Sequence, residues 1–334
     1  MVWLVKFVLL VILIEKNQSK QRKLNMNILG IGNAIVDVIC KVDENFITQN
    51  GLTKSTMKLI FDENEFKKLL SNLKIEKTVS GGSVANSIVG LSQLGNKVGF
   101  IGKVNDDNLG EKYEHGLKKE NVEYFYNKKK EELPTGTCLI LITPDSERTM
   151  CTFLGTAGKI NENDVDVEAI KNSKITLLEG YLWDEGDPKK AFDKAIQNSN
   201  KVAMSLSDLF CVERHKPHFL DLVKNKLDIT FANEQEITSL INAKNFNEVV
   251  SFSKEIGKII VITRGEIGAT AINGTEIVEC GIQKNLKIVD LTGAGDLFAA
   301  GFLHGYVNKL SLKESLEKGT EMSSKIIQQI GARL

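Results

Sequence analysis

The stretch DLTGAGDLFAAGF (residues 290–302) links a β-rich run, KIVD, to an apolar segment typical of a buried helix. Glycine lets successive backbone N–H groups converge on one point, and here two glycines stand where the helix begins. The helix dipole adds about half a positive charge at that point. The backbone of Gly293, Ala294 and Gly295 is therefore a candidate anion hole.

Asp296 closes this turn, and its carboxylate would repel a phosphate bound there. Such a residue is useful if it takes a proton from a hydroxyl that attacks the phosphate, so Asp296 is a candidate general base. The alternative is a helix N-cap, a position that aspartate fills in many proteins. The stretch alone does not separate the two interpretations.

Outward from this stretch, apolar strand-like runs such as VGFIGKV, KVAMSLSD and IIVITRG alternate with helix-like segments such as GSVANSIVGLSQLG. This alternation predicts an α/β fold with a doubly wound, mainly parallel sheet covered by helices on both faces. Two regions, 36–62 and 122–153, interrupt the pattern. In the second, TGTCLILIT and RTMCTF flank the turn PDSE, which indicates a strand pair and a small β-sheet lid.

Composition restricts the partners and the compartment. Lys plus Arg and Asp plus Glu both number 43, so no net charge favours nucleic acid or an anionic membrane. The five cysteines are scattered and form no CxxC pair, which fits a reducing, cytoplasmic compartment.

Residues 1–25 differ from the rest. The apolar run MVWLVKFVLLVILI is shorter than the roughly 20 residues of a membrane span, and no signal-cleavage pattern follows it. We expect an N-terminal extension outside the core domain, which would comprise residues 26–334. A membrane tether is the alternative.

The common nucleotide fingerprints are missing, since Ile35 stands where GxGxxG needs its third glycine and no GxxxxGK[ST] occurs. A second glycine turn, Ser80 to Ser83 with Asn86 behind it, suits a polyhydroxylated ligand. Asp37 can accept hydrogen bonds from two neighbouring hydroxyls. A packing glycine pair and a strand-end acid are the alternatives.

Two further turns follow predicted strands. Asn233 and Glu236 offer oxygen atoms that suit hydrated Mg²⁺, or they begin a helix as ordinary capping residues. Gly265 and Gly268 would let the backbone approach a nucleotide, although a plain hairpin turn has the same pattern.

These four turns occur in the order found in the ribokinase-like (PfkB) carbohydrate kinases, and the chain resembles that family from Met26 onward. GNAIVDV, PTGTC and ANEQE are most similar to its adenosine kinase branch. The resemblance implies transfer of the ATP γ-phosphoryl group to a primary hydroxyl of a nucleoside or sugar, with Mg²⁺, by a monomer or homodimer.

Residue by residue, the resemblance makes Asp296 the base and directs Arg148 toward the transferring phosphate. It assigns substrate binding to Asn33, Asp37, Gly81, Gly82, Ser83 and Asn86, ATP binding to Asn233, Thr263, Gly265 and Gly268, and metal binding through water to Glu236. In GYLWDEGD, Leu182 stands where an adenosine kinase would have an aromatic residue. A ribokinase- or fructokinase-type sugar kinase and a catalytically silent nucleoside- or sugar-binding protein remain as alternatives.

Overall fold

The computed structural model describes residues 26–145, 147–183 and 186–334, and the N-terminal extension expected at residues 1–25 lies outside them. In chain order the strands are β1 (Met26–Ile31), β2 (Ile35–Lys41), β3 (Met57–Leu59), β4 (Ile75–Ser80), β5 (Val98–Ile101), β6 (Glu123–Tyr124), β7 (Gly136–Ile142), β8 (Arg148–Phe153), β9 (Ser173–Glu179), β10 (Val202–Ser205), β11 (Ile229–Asn233), β12 (Ile259–Thr263), β13 (Ala269–Asn273) and β14 (Glu276–Cys280).

The α-helices are α1 (Glu44–Gln49), α2 (Glu63–Ser71), α3 (Ser83–Gln93), α4 (Asn108–Lys119), α5 (Val167–Lys171), α6 (Asp187–Asn198), α7 (Leu209–Asp221), α8 (Glu234–Ile241), α9 (Phe246–Ile256), α10 (Ala294–Val307) and α11 (Leu312–Ile326). None of these described helices is long and apolar enough to cross a membrane.

The large sheet has nine strands in the order β14-β13-β12-β11-β10-β9-β1-β5-β6. The strands from β12 to β6 are parallel to their neighbours, and β13 and β14 extend the sheet as an antiparallel edge. Every residue of β5 is buried, as a strand covered on both faces requires. The predicted doubly wound, mainly parallel sheet is confirmed.

Two helices at the centre of the molecule are apolar on nearly all sides. Residues 84–91 of α3 are all buried, because Gly30 of β1 lies against Val84 and Ile88 while Gly90 lies against Leu297 of α10. Residues 297–303 of α10 are buried as well. The helix predicted at α3 is thus enclosed by the sheet on one side and by α10 on the other.

The small sheet has five strands in the order β3-β8-β7-β2-β4. The chain passes from β1 in the large sheet to β2 in the small sheet through residues 32–34. The predicted strand pair around PDSE is present, since β7 and β8 pair antiparallel.

The small sheet does not have the limits expected from sequence. Strand β4 lies beyond the predicted range 36–62, and its first three residues are exposed, so the stretch lacks the apolar signal of a strand. Strand β6 falls within 122–153 but pairs with β5 at the edge of the large sheet.

Candidate active site

A cleft of about 610 Å³ lies between the two sheets. Several of its polar residues stand at the carboxyl ends of large-sheet strands, where ligands bind in open α/β folds: Asn33 after β1, Glu179 at the end of β9, Ser205 at the end of β10, Asn233 at the end of β11 and Thr263 at the end of β12. Residues from the first turns of α3, α8 and α10 line the same cleft: Ser83, Glu236 and Asp296 among them.

The turn before α10 is built around Asp290. Its Oδ1 accepts hydrogen bonds from the N–H and the hydroxyl of Thr292, at 3.1 and 2.7 Å. Gly293 is the N-cap of α10 with φ +79°, and a Cβ there would lie 2.7 Å from the Cα of Ala332. No described side chain caps the helix, and the Ala294 N–H donates to the Leu291 carbonyl at 3.2 Å, so the other N–H groups of this turn are the ones available to an anion.

Asp296 is the third residue of α10 and not its N-cap. Its carboxylate accepts hydrogen bonds from the Ser83 hydroxyl at 2.6 Å and from the Asn86 side-chain amide at 3.0 Å. Burial raises the pKa of Asp296, while these two bonds and the charge of Arg333 oppose the rise. The carboxylate is therefore directed across the cleft toward α3.

The start of α3 is shaped by two glycines. Gly82 is its N-cap with φ +97°, and a Cβ there would collide with the carbonyl oxygen of Asn33. The carboxylate of Asp37 lies directly over Gly81, where a Cβ would be 2.6 Å from its Cγ. Burial raises the pKa of Asp37 to about 7, although Arg333 and Arg148 lower it.

Glu179 completes this end of the cleft. It is 1% exposed, and its Oε2 accepts a hydrogen bond from the Val84 N–H at 3.0 Å while its Oε1 accepts one from the Asn33 amide at 2.9 Å. Burial raises the pKa of Glu179 to about 7. The structure thus brings together all six residues predicted to bind substrate, and adds Glu179 to them.

Arg148 does not line the cleft in this structure. Its guanidinium forms an ion pair of 2.7 Å with Asp290, and both side chains are largely buried. Asp290 therefore connects β8 of the small sheet to the turn before α10. The predicted contact between Arg148 and a phosphate would use a guanidinium already held next to that turn.

Asn233 and Glu236 form a capping box at the start of α8. Asn233 Oδ1 accepts from the Glu236 N–H at 2.8 Å, and Glu236 Oε2 accepts from the Asn233 N–H at 2.9 Å. Burial raises the pKa of Glu236 to about 7. The described residues include no cluster of three acids, histidines or cysteines that could hold a metal. Glu236 is suited to receive a hydrogen bond from metal-bound water, because its oxygens have further lone pairs.

The three remaining predicted ATP residues are divided. Thr263 lines the cleft. Gly265 and Gly268 form the turn between the antiparallel strands β12 and β13, where the Arg264 N–H donates to the Gly268 carbonyl at 2.8 Å, and neither glycine lines the cleft. The geometry of this turn is that of a plain hairpin, the alternative given in the sequence analysis.

Sequence reasoning missed four residues of the site. Glu179 ends a β-rich run that forms the buried strand β9, so an acid at the carboxyl end of such a run was the available signal. Asp290 ends the β-rich run KIVD, which forms no strand in the structure and leaves Ile288 and Val289 exposed. Tyr181 and Phe210 also line the cleft, and Phe210 is 53% exposed. Leu182, at the position where an aromatic residue was expected, is instead buried in the core with Trp183.

Fold and site together define a ribokinase-like kinase, and comparison with known proteins agrees. The model of the pfkB family carbohydrate kinases matches residues 34–334, so the chain belongs to this family. Kinases of this family take their phosphoryl group from ATP.

Among solved structures, an adenosine kinase from Sinorhizobium meliloti is 37% identical with a TM-score of 0.84, covering 92% of this chain and 96% of that one. An adenosine kinase from Schizophyllum commune is 27% identical over 90% of this chain and 94% of its own. A 5-dehydro-2-deoxygluconokinase from Clostridium botulinum is 26% identical over 80% of this chain and 84% of its own. The relatives therefore include both nucleoside and sugar kinases.

Proposed function

We propose that the protein transfers the γ-phosphoryl group of ATP to a primary hydroxyl of an uncharged, adenosine-like nucleoside, with Asp296 as the general base. The observation that carries this proposal is the position of the Asp296 carboxylate. It lies between the uncapped start of α10, which suits a phosphate, and the polar side chains of α3, which suit a hydroxylated ligand. A hydroxyl bound there would have an acceptor for its proton and an electrophile on the opposite side.

Charge supports an uncharged acceptor. The described side chains that line the cleft include five carboxylic acids and one arginine: Asp37, Glu179, Asp208, Glu236, Asp296 and Arg214. A phosphorylated sugar or a sugar acid would bring a second anion to this acidic surface, at a cost that grows as water is excluded. A neutral nucleoside or sugar avoids that cost.

The small sheet favours a nucleoside over a sugar. On the cleft side it presents apolar side chains that form a continuous cluster, namely Ile35, Cys138, Ile140, Met150 and Leu154. Phe61 (83% exposed) and Phe210 (53% exposed) also line the cleft. A purine offers flat apolar faces to such a surface, whereas a free sugar would present hydroxyl groups to it without partners.

Mg²⁺ would neutralise the phosphate charge of ATP during transfer. In this proposal Glu236 holds a metal-bound water at the start of α8, and Asn233 and Thr263 lie beside the ATP phosphates. Arg148 exchanges Asp290 for the transferring phosphate when substrates bind. The small sheet then serves as the cover that excludes water from the reaction, and a reducing cytoplasm is the proposed compartment.

A phosphotransfer screen tests the proposal. ADP release from Mg-ATP would be measured with adenosine, other nucleosides, ribose, fructose, 5-dehydro-2-deoxygluconate and the phosphorylated sugars, each against an acceptor-free control. We expect kcat/KM for adenosine or a related nucleoside to exceed that for any free sugar by at least about tenfold. A higher value for a sugar or sugar acid would reassign the acceptor, and ATP binding without transfer to any acceptor would indicate a catalytically silent binding protein.

A further inference from the structure

Arg333 joins the side chains that hold Asp296. Its Nε donates a hydrogen bond to Asn86 Oδ1 at 3.0 Å, and Asn86 Nδ2 donates to Asp296 Oδ2 at 3.0 Å. Asp296 Oδ1 accepts from Ser83 at 2.6 Å. The guanidinium, the amide and the carboxylate thus form one continuous hydrogen-bonded chain.

The direction of this chain is set by Arg333. A side-chain amide has a donor end and an acceptor end, and an Asp296 carboxyl group that carries its proton could pair with either one. A guanidinium only donates hydrogen bonds, so it pairs with the acceptor end of Asn86. The donor end of Asn86 is thereby directed to Asp296, where a carboxylate needs it.

The segment that carries Arg333 is attached to the same turn as the anion hole. The Gly331 N–H donates to Asp290 Oδ2 at 2.7 Å, and Ala332 packs directly against Gly293. The Gln329 side chain donates to the Arg333 carbonyl at 2.7 Å. Because these contacts fix the backbone on both sides, the guanidinium has a defined position relative to Asp296.

The charge of the Arg333 guanidinium also affects the pKa of nearby carboxyl groups. Its Nη2 is buried and forms no hydrogen bond with any described residue. Burial lowers the pKa of Arg333, whereas Tyr113, Asp37, Glu120 and Asp296 raise it. In return, the positive charge opposes the burial-driven rise in the pKa of both Asp37 and Asp296.

We infer that Arg333 is a positioning residue for the phosphoryl transfer proposed above, orienting Asn86 and, through it, the carboxylate of Asp296. Arg333 need not contact the reacting atoms for this role. The inference rests on the proposed function only for its kinetic consequences, since the hydrogen-bonded chain is itself a feature of the structure.

The kinetic test uses three variants. Arg333→Met removes charge and donor at similar length, Arg333→Lys keeps the charge but loses the planar fork, and Lys103→Met is a matched control. Lys103 is a buried cation, 4% exposed, that is paired with Asp164 at 3.1 Å outside the cleft. We expect Arg333→Met to lower kcat about tenfold to a hundredfold, because misplacing a base by an ångström has effects of that order.

The pH profile separates positioning from simple stabilisation. A general base must be ionised, so the acid limb of kcat/KM should move to higher pH in Arg333→Met as the pKa of Asp296 rises. Arg333→Lys should restore the limb but not the full kcat. Lys103→Met should lose stability with an unchanged limb. An Arg333→Met variant that behaves like Lys103→Met would overturn the inference.

A second measurement needs no activity, so it still tests Arg333 if the wild type transfers phosphate to no acceptor. Free energies of unfolding would be measured against pH for wild type, Asp296→Asn, Arg333→Met and the double variant. Since the native pKa of Asp296 is raised, the native carboxyl retains its proton longer than the unfolded one, and its contribution to stability falls as pH rises through the native pKa.

The stability advantage of Asp296→Asn should therefore grow with pH, and it should stop growing once the pH has passed the native pKa of Asp296. We expect this levelling-off at higher pH in the Arg333→Met background, and a levelling-off at the same pH in both backgrounds would contradict the inference. The neighbouring titratable and charged groups are the same in each pair compared: Asp37, Arg148, Glu179, Tyr181, Tyr113 and Glu120.

Discussion

Helices α3 and α10 begin at the same cleft and in the same way, yet their first turns have different partners. Each has a glycine at its N-cap with positive φ, +97° at Gly82 and +79° at Gly293, and neither N-cap supplies a side-chain cap. At α3, Glu179 from β9 accepts the Val84 N–H. At α10, no described side chain caps the first turn. One helix start is closed by a carboxylate of the protein, and the other is the start at which we propose that a phosphate binds.

The two starts also act on each other. Asp296 belongs to α10, but its carboxylate is held by Ser83 and Asn86 of α3. In the proposed reaction, the closed α3 would orient Asp296 and the open α10 would present its positive dipole end to the phosphate. We therefore propose two tasks for the same glycine–helix start, distinguished by a carboxylate that accepts from the first turn of α3 and has no counterpart among the described side chains at α10.

The strongest test of the open helix start is Asp296→Asn. The amide has nearly the same shape but cannot take a proton, so we expect kcat to fall by about a hundredfold or more while ATP and acceptor still bind. Steady-state kinetics and calorimetric titration would measure the two effects. Asp43→Asn is the control, because Asp43 only caps α1 and asparagine caps helices equally well. Near-normal turnover in Asp296→Asn would reject its role as base.

Arg148→Ala tests whether catalysis at the start of α10 depends on an arginine from strand β8 of the small sheet. It removes the ion pair with Asp290 and the proposed cation at the transferring phosphate. We expect kcat to fall about tenfold to a hundredfold with a smaller change in acceptor KM, because the contact would be made mainly in the transition state. Stopped-flow or steady-state kinetics with varied acceptor concentration would separate the change in kcat from the change in acceptor KM. A loss confined to KM would assign Arg148 to ground-state binding.

Much of this site could be predicted from sequence, because the motifs are local. Gly82, Gly293 and Asp296 lie in short stretches whose composition implies their backbone geometry and charge. The large parallel sheet was equally predictable from alternating apolar runs. A local pattern could not reveal hydrogen-bond partners that come from distant segments. Glu179 lies 95 residues from Val84, whose N–H donates to it, and Arg333 lies 247 residues from Asn86, to which it donates.

The same limit explains the errors at the small sheet. Strand β4 is an edge strand with exposed polar residues, so its periodic apolar signal is weak. The aromatic residue that is missing at Leu182 occurs one position earlier, at Tyr181. Tyr181 lines the cleft, whereas Leu182 is packed in the core.

Glu179→Gln removes the charge from the side chain that closes the start of α3. Both Glu179 oxygens accept hydrogen bonds, and a glutamine can accept at only one. Asn33 Oδ1 is buried without a partner among the described residues, so we expect the Asn33 amide to turn over and pair with the glutamine. Acceptor KM should rise about fivefold to tenfold with a smaller change in kcat. Exposed Glu111 of α4 provides the matched control, Glu111→Gln.

The same variant has a pH signature. The pKa of Glu179 is raised from 4.5 to about 7 in the folded protein, so the native state binds a proton that the unfolded state has released. Stability from this group is therefore lost as pH rises from 4.5 to 7, and Glu179→Gln should flatten that decline in urea unfolding curves. A pH dependence equal to that of wild type would show that Glu179 is not the titrating group.

The smallest effect is expected for a substitution at α8, because the capping box of Asn233 and Glu236 already closes the first turn of that helix. In a capping box glutamine serves as well as glutamate, so Glu236→Gln should change the free energy of unfolding by less than about 1 kcal/mol near neutral pH. Loss of the charge should still weaken the proposed water-mediated contact with Mg²⁺, raising the Mg²⁺ concentration needed for half-maximal rate about twofold to fivefold. Glu234→Gln is the control, since Glu234 starts the same helix but pairs with Arg264 at 2.8 Å. An unchanged Mg²⁺ requirement in Glu236→Gln would leave this residue a capping acid and make α8, like α3, a helix start closed entirely by the protein.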